Sequence, residues 1–169
     1  ALAQELETSP EGVQGKLSAT LAELDRERKR ALSLERELAR KTAESLSPQV
    51  EPTSGMKFFS APVPFESSAT MREMGDRLKE QLGSGIILLG AKYSDRLKFV
   101  AMGTPDQVAK GFHAGQFVNQ IATATGGGGG GRAELGEGSG KDVTKLDEAL
   151  KQTGRYIKMH YDKDSGTWR

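Results

Sequence analysis

The sequence predicts an α+β chain: a long helix or helical hairpin forming an N-terminal arm, then a small α/β sandwich of helices packed on a mixed sheet. Three observations lead there. Leu17, Leu21, Leu24, Ala31 and Leu38 fall on alternating steps of four and three that Arg28 and Glu35 interrupt. Prolines and glycine interrupt that period between Ser47 and Gly55. Beyond the break, apolar residues switch between the two-residue period of strands and the helical period. These boundaries give an arm over residues 1–47, a linker over 48–55, a globular body over 56–155 and a tail over 156–169 with room for one extra strand.

The arm begins on a helix start signal, Thr8-Ser9-Pro10-Glu11, in which a Thr-x-x-Glu box supplies acceptors for the leading amides and proline occupies the first turn. Leu17, Leu21, Leu24, Ala31 and Leu38 share one seam, broken by Arg28 and Glu35. Two readings stand. Leu17, Leu21, Leu24 and Leu38 are the dimerisation seam of a homodimer, or the helix packs on its own chain. Acidic Glu23, Asp25, Glu27, Glu35 and Glu37 interleave with Arg26, Lys29, Arg30, Arg36 and Arg40, as on a solvated helix face.

In the body, Lys57 to Val63 is predicted as a strand that Pro62 and Pro64 confine to an edge or terminate. Ser68 to Leu82 places Met71, Met74, Leu78 and Leu82 at helical spacing and stops at Gly83-Ser84-Gly85. Ile86 to Leu89 is wholly apolar, as suits a strand covered on both faces. Leu97 to Met102 pairs with it around a turn at Ser94-Asp95. A second helix over about Ala114 to Ala124 presents Phe117, Val118 and Ile121. A third, with Asp142 as N-cap, carries Leu146, Ala149 and Leu150. Tyr156 to Tyr161 alternates polar and apolar, predicting an added strand or hairpin with a turn at Asp164-Ser165-Gly166.

Between the second and third helices lies Gly126 to Gly131, closed by Arg132 and continued through Ala133-Glu134-Leu135-Gly136-Glu137-Gly138-Ser139-Gly140-Lys141. Such a run is predicted to be a loop whose backbone approaches a strand, a phosphate or a base closely. A plain Gly/Ser linker is the alternative, and the Arg-x-Glu-Leu stretch before a capped helix speaks against it. This segment resembles the glycine-rich signature of the C-terminal domain of alanyl-tRNA synthetase, Gly-Gly-Lys-Gly-Gly-Gly-Arg-Pro-Asp-Met-Ala-Gln-Ala-Gly-Gly. Aligned on Arg132, family glycines fall on Gly126, Gly127, Gly129, Gly130, Gly131 and Gly140, while Gly128 stands for the lysine, Ala133 for the proline and Ser139 for a glycine. The resemblance extends upstream through the Gly-x-x-Ala-Gly-x-x-Val run at Gly111 to Val118, and spans Ser9 to about Leu150.

Several function classes fall away. The chain has no cysteine, so it has neither a disulfide framework nor a thiolate metal site. No apolar run reaches the roughly 20 residues that span a bilayer, and no signal peptide opens it; an intracellular, cytoplasmic protein without membrane contact is expected. No cofactor or metal site is expected either. His113 and His160 are the histidines present, too few for the Asp/His metal cluster of the DHH phosphoesterases, which carry a similar glycine-loop domain. His113, at a helix start, is predicted to cap or pack locally. The glycines lack the Lys-Ser/Thr pair of a P-loop. Net charge is +1; residues 1–55 hold 8 Lys+Arg against 10 Asp+Glu and residues 56–169 hold 16 against 13. That permits an RNA partner without identifying one.

The opening Ala1-Leu2-Ala3 suggests a fragment of a longer polypeptide, a processed protein being the second reading. The resemblance then implies a domain without an active site, from a chain whose upstream aminoacylation and editing domains do the chemistry. It implies alanine-specific tRNA as partner, held at the outer corner where the D- and T-loops meet. The residues it nominates for RNA binding are Gly127, Gly129, Gly130, Gly131 and Arg132, with Lys141 and Lys145 at the next helix start. Three alternatives stay open: the tail of a stand-alone editing protein, the substrate-binding domain of a DHH phosphoesterase, and a structural dimerisation module.

Overall fold

The computed structural model of the chain describes residues 12–169, so the start signal at Thr8 to Glu11 lies outside the described residues. Val13–Ser45 forms one continuous helix, α1. The chain divides into two units at Leu38, the second being Ala39–Arg169. In the first unit the seam residues Leu17, Leu21, Leu24 and Leu38 are 40%, 56%, 45% and 43% exposed. In the second, Ala39 and Ala43 in the last turns of α1 are buried in its core. Among the described residues no helix is long and apolar enough to cross a membrane.

The second unit is the expected α+β body. In chain order it contains β1 (Gln49–Val50), β2 (Lys57–Pro62), α2 (Ser68–Leu82), β3 (Ile86–Tyr93), β4 (Arg96–Gly103) and α3 (Pro105–Ala109). After these come α4 (Ala114–Ala124), β5 (Gly128–Gly131), β6 (Leu135–Gly140), α5 (Leu146–His160) and a hairpin of β7 (Tyr161–Asp162) with β8 (Thr167–Trp168). The main sheet has the order β1-β2-β3-β4-β6-β5. Only β2 and β3 are parallel, as the intervening α2 crossover requires; the other neighbours are antiparallel.

Helices cover both faces, which explains the uninterrupted apolar runs. Ile86, Leu88, Leu97, Phe99 and Ala101 join Phe117, Ile121, Leu150 and Ile157 in a core beneath α4 and α5. Their strand neighbours Ile87, Leu89, Val100 and Met102 join Met71, Met74 and Leu78 beneath α2. Gly83 ends α2 as the sequence signals, whereas Asp142 caps the 3₁₀ turn Val143–Lys145 ahead of α5 rather than α5 itself. Ser67 accepts from the Thr70 amide at the start of α2, and Gly83, at φ 74°, donates to Lys79 at its end.

Two expectations are corrected. The glycine run is not a loop: Gly128–Gly131 is the edge strand β5, paired with β6 residue by residue from Gly128 opposite Ser139 to Gly131 opposite Gly136. Tyr156 to His160 is not a strand but the end of α5, because Tyr156 and Ile157 continue the helical stripe of Leu146, Ala149, Leu150 and Thr153; the added strands are the β7/β8 hairpin. The stretch expected to link arm and body contains β1, which pairs with β2. Glu51 beside it is buried, accepting from the Ser54 hydroxyl at 2.6 Å and the Ser54 and Thr53 amides at 2.8 and 3.1 Å. Burial pushes its carboxyl up, but these hydrogen bonds outweigh burial and hold it below its ordinary value.

Candidate nucleic-acid interface

The glycines are explained by how closely α4 lies on the β5/β6 hairpin. A Cβ on Gly115 of α4 would stand 2.6–2.8 Å from the Gly131 backbone. One on Gly136 of β6 would stand 2.5 Å from the Ala114 carbonyl oxygen. Backbone therefore packs on backbone, at a distance no side chain fits. The turn between the strands also seats the helix: the amides of Ala114 and Gly115 donate to the carbonyls of Ala133 (2.9 Å) and Arg132 (3.0 Å). His113 is the N-cap, its Nδ1 accepting from Gln116 at 3.1 Å, so the leading amides of α4 are already engaged.

The helix holds the ribbon from the side as well. Gly129 donates to the Asn119 side chain at 3.0 Å and Gly127 to the Ala122 carbonyl at 3.0 Å. What β5 offers outward is consequently Cα surface rather than a cradle of amides. All four of its glycines are exposed. A Cβ on Gly130 would meet nothing within 4 Å, and one on Gly128 only the Asn119 side chain at 3.8 Å. The result is a flat strip without side chains on the edge of the sheet.

Cations stand at both ends of this strip. Arg132 sits in the turn, paired with Glu134 at 3.1 Å and 73% exposed, an ion pair weak enough to exchange for another anion. Lys141 follows β6 at the opposite end, where its amide and that of Asp142 donate to the Thr125 carbonyl. Lys145 ends the 3₁₀ turn Val143–Lys145 leading into α5. Between the two lysines, hydrogen bonds from the Thr144 hydroxyl and amide hold the Asp142 carboxyl below its ordinary range. Asp142 is thus an anion at neutral pH, and Asp147 and Glu148 occupy the first turn of α5. These carboxylates offset the positive end of that helix dipole.

A family model described as the DHHA1 domain matches residues 55–159, from the end of the Glu51 turn through α5. The chain belongs to the DHHA1 domain family. It is homologous to the C-terminal region of alanyl-tRNA synthetases: it is 39% identical over 145 residues to the alanine–tRNA ligase of Dehalococcoides mccartyi strain BAV1, and 38% identical over 156 residues to that of Geobacillus kaustophilus. These matches cover 86% and 92% of the chain but 17% and 18% of the relatives, so the chain spans under a fifth of their length. The crystal structure of the C-Ala domain from Aquifex aeolicus alanyl-tRNA synthetase has the same fold, with TM-score 0.58 and 21% identity, covering 65% of this chain and 96% of that one.

Within this DHHA1 domain the nominated residues Gly127, Gly129, Gly130, Gly131 and Arg132 lie along one strand and its turn. Lys141 and Lys145 lie beyond the far end of that strand, and Leu17, Leu21, Leu24 and Leu38 belong to the separate helical unit. Sequence reasoning missed Asn119, which holds the ribbon, and the Arg72–Glu137 ion pair (2.7 Å) between α2 and β6. The glycines at every second position of β6, Gly136, Gly138 and Gly140, were the available signal that one strand face lies against α4 and its cap too closely for side chains of its own. Among the described residues no three His, Asp or Glu side chains gather as metal ligands.

Proposed function

We propose that this domain binds tRNA without catalysing a reaction, holding the outer corner of alanine-specific tRNA for an alanyl-tRNA synthetase whose aminoacylation and editing domains lie elsewhere in the parent chain. The observation that carries the reading is the side-chain-free strip of β5 with Arg132 at one end and Lys141 and Lys145 beyond the other. A bare Cα surface lets a sugar-phosphate backbone or an exposed base approach, and flanking cations supply attraction without base specificity. Gly127, Gly129, Gly130 and Gly131 contribute shape; Arg132, Lys141 and Lys145 contribute charge. The exposed leucines of α1 favour a second role, pairing of two arms through Leu17, Leu21, Leu24 and Leu38. The compartment proposed for this function is the cytoplasm.

The test is binding of the chain to alanine-specific tRNA across a salt series. Arg132→Ala with Lys145→Ala is expected to weaken binding and flatten the log–log salt slope by about 2, one for each phosphate no longer neutralised. Disrupting the pairing of the D- and T-loops should do the same to affinity, while an isolated acceptor minihelix should bind poorly. Equal binding of the minihelix and whole tRNA, or an undiminished double variant, overturns the proposal.

A further inference from the structure

On the α2-facing side of the sheet α2 packs over β3 and β4 and reaches β6 through the Arg72–Glu137 ion pair, and the register shows what is laid out beyond it. On β4, Val100 and Met102 pack beneath α2, so Arg96 and Lys98 project to that side. On β3, Ile87, Leu89 and Ala91 pack there as well, which places Tyr93 with them. On β6, Gly136, Gly138 and Gly140 approach α4 and its cap, so Ser139 points the other way. Gly128 is opposite Ser139, and Ser139 is opposite Lys98. The row Gly128–Ser139–Lys98 thus runs about 10 Å across neighbouring strands on one face. At its end Tyr93 is opposite Arg96.

Tyr93 is not a core residue. It is half-buried at the tip of the β3/β4 hairpin, beside a turn in which Ser94 takes φ 50°. The Lys98 ammonium lies 4.9 Å from its ring centroid while donating to the Glu66 carbonyl at 2.8 Å. One side of the ring is therefore backed by a fixed cation. Exposed Arg96 stands opposite it on the same face, with Asp95 of the turn as the tempering carboxylate. An aromatic ring set among cations, on the same face as a strip without side chains, is the arrangement that receives an unstacked base while the backbone runs past.

We propose that the β3/β4 hairpin tip is a second RNA contact, in which Tyr93 stacks on an exposed base of the bound tRNA and Arg96 and Lys98 neutralise the adjoining phosphates. This rests on the tRNA-binding reading and extends it from the glycine strip to the β3/β4 hairpin tip.

The experiment measures binding of the chain and its variants to alanine-specific tRNA and to a plain blunt-ended RNA duplex. Tyr93→Ala is expected to weaken tRNA binding about tenfold, and Tyr93→Phe to stay within about twofold, because stacking needs the ring and not the hydroxyl. Lys98→Gln should lower the salt slope by about 1. The duplex, whose bases are stacked and paired, should show no Tyr93→Ala effect. Unaltered melting of the variants excludes a folding cause. If Tyr93→Ala binds tRNA undiminished, or loses the duplex equally, the inference is overturned. Where Arg132→Ala with Lys145→Ala still weakens binding in that case, the tRNA reading survives; failure of the intact chain to bind tRNA overturns both.

Discussion

Replacing Gly136 with alanine should destabilise the body far more than the same change at Gly130, although both glycines belong to one hairpin. A Cβ at Gly136 would lie 2.5 Å from the Ala114 carbonyl oxygen, 2.7 Å from its carbon and 2.8 Å from the Gly115 nitrogen, all backbone atoms. Reaching an ordinary 3.4 Å separation requires α4 to retreat by about 0.9 Å. That retreat stretches the bonds from Ala114 to Ala133 (2.9 Å) and from Gly115 to Arg132 (3.0 Å) beyond hydrogen-bonding reach. Overpacking costs about 1–3 kcal/mol and each broken backbone bond about 1 kcal/mol. Partial relaxation keeps the total near 3 kcal/mol, or roughly 10 °C in melting temperature for a body of this size. At Gly130 the added methyl enters open space, and the change should stay within about 0.5 kcal/mol. Thermal melting followed by circular dichroism compares the two variants directly. A Gly136→Ala variant melting within 2–3 °C of the parent, by roughly the conversion used above, would refute close backbone packing as the reason for these glycines, as would an equal loss at Gly130→Ala.

Other expectations follow from the same geometry. Gly130→Val should leave melting nearly unchanged yet reduce tRNA affinity in a gel-shift titration, since its side chain would stand on the open strip; undiminished binding would remove Gly130 from the interface. The Glu51 carboxyl is depressed on folding, so its stabilisation is present above the ordinary carboxylate value and is lost as pH falls through the lower folded value. Glu51→Gln should therefore cost about 2 kcal/mol at neutral pH, with the gap from the parent narrowing below about pH 4 in denaturant titrations; a gap that is constant with pH would contradict the hydrogen-bonded anion. Sedimentation should show a dimer that Leu21→Glu with Leu24→Glu converts to monomer, and a parent that is monomeric throughout would reject the arm as a pairing surface.

Most of the body was legible because its elements carry side-chain periodicity. Ile86 to Leu89 announces a strand covered on both faces, and Ser94-Asp95 is the two-residue turn joining β3 to β4. The end of α5 was obscured by Thr153 and Gly154, which break the apolar stripe in sequence. In the structure Thr153 is nevertheless buried, its hydroxyl donating to Ser60 at 3.2 Å, so a polar residue sits on the inward face. The short α3 carries too few residues for a period.

The glycine strand resisted reading for a different reason, and the same reason bears on its function. Side-chain patterns are what distinguish a strand from a loop, and a run of glycines has none. Its pairing comes from β6 on one side and from Asn119 and Ala122 of α4 on the other. Arg132, Lys141 and Lys145 could be nominated as cations bordering glycines, but the separation between the glycines' two duties could not. Gly115 and Gly136 are glycine because α4 lies too near for a Cβ, whereas Gly128 and Gly130 face open space. Packing accounts for the first pair completely and for the second not at all. The strip formed by the second pair has no packing reason to lack side chains, and the proposed nucleic-acid contact, which must approach the sheet edge closely, would supply one.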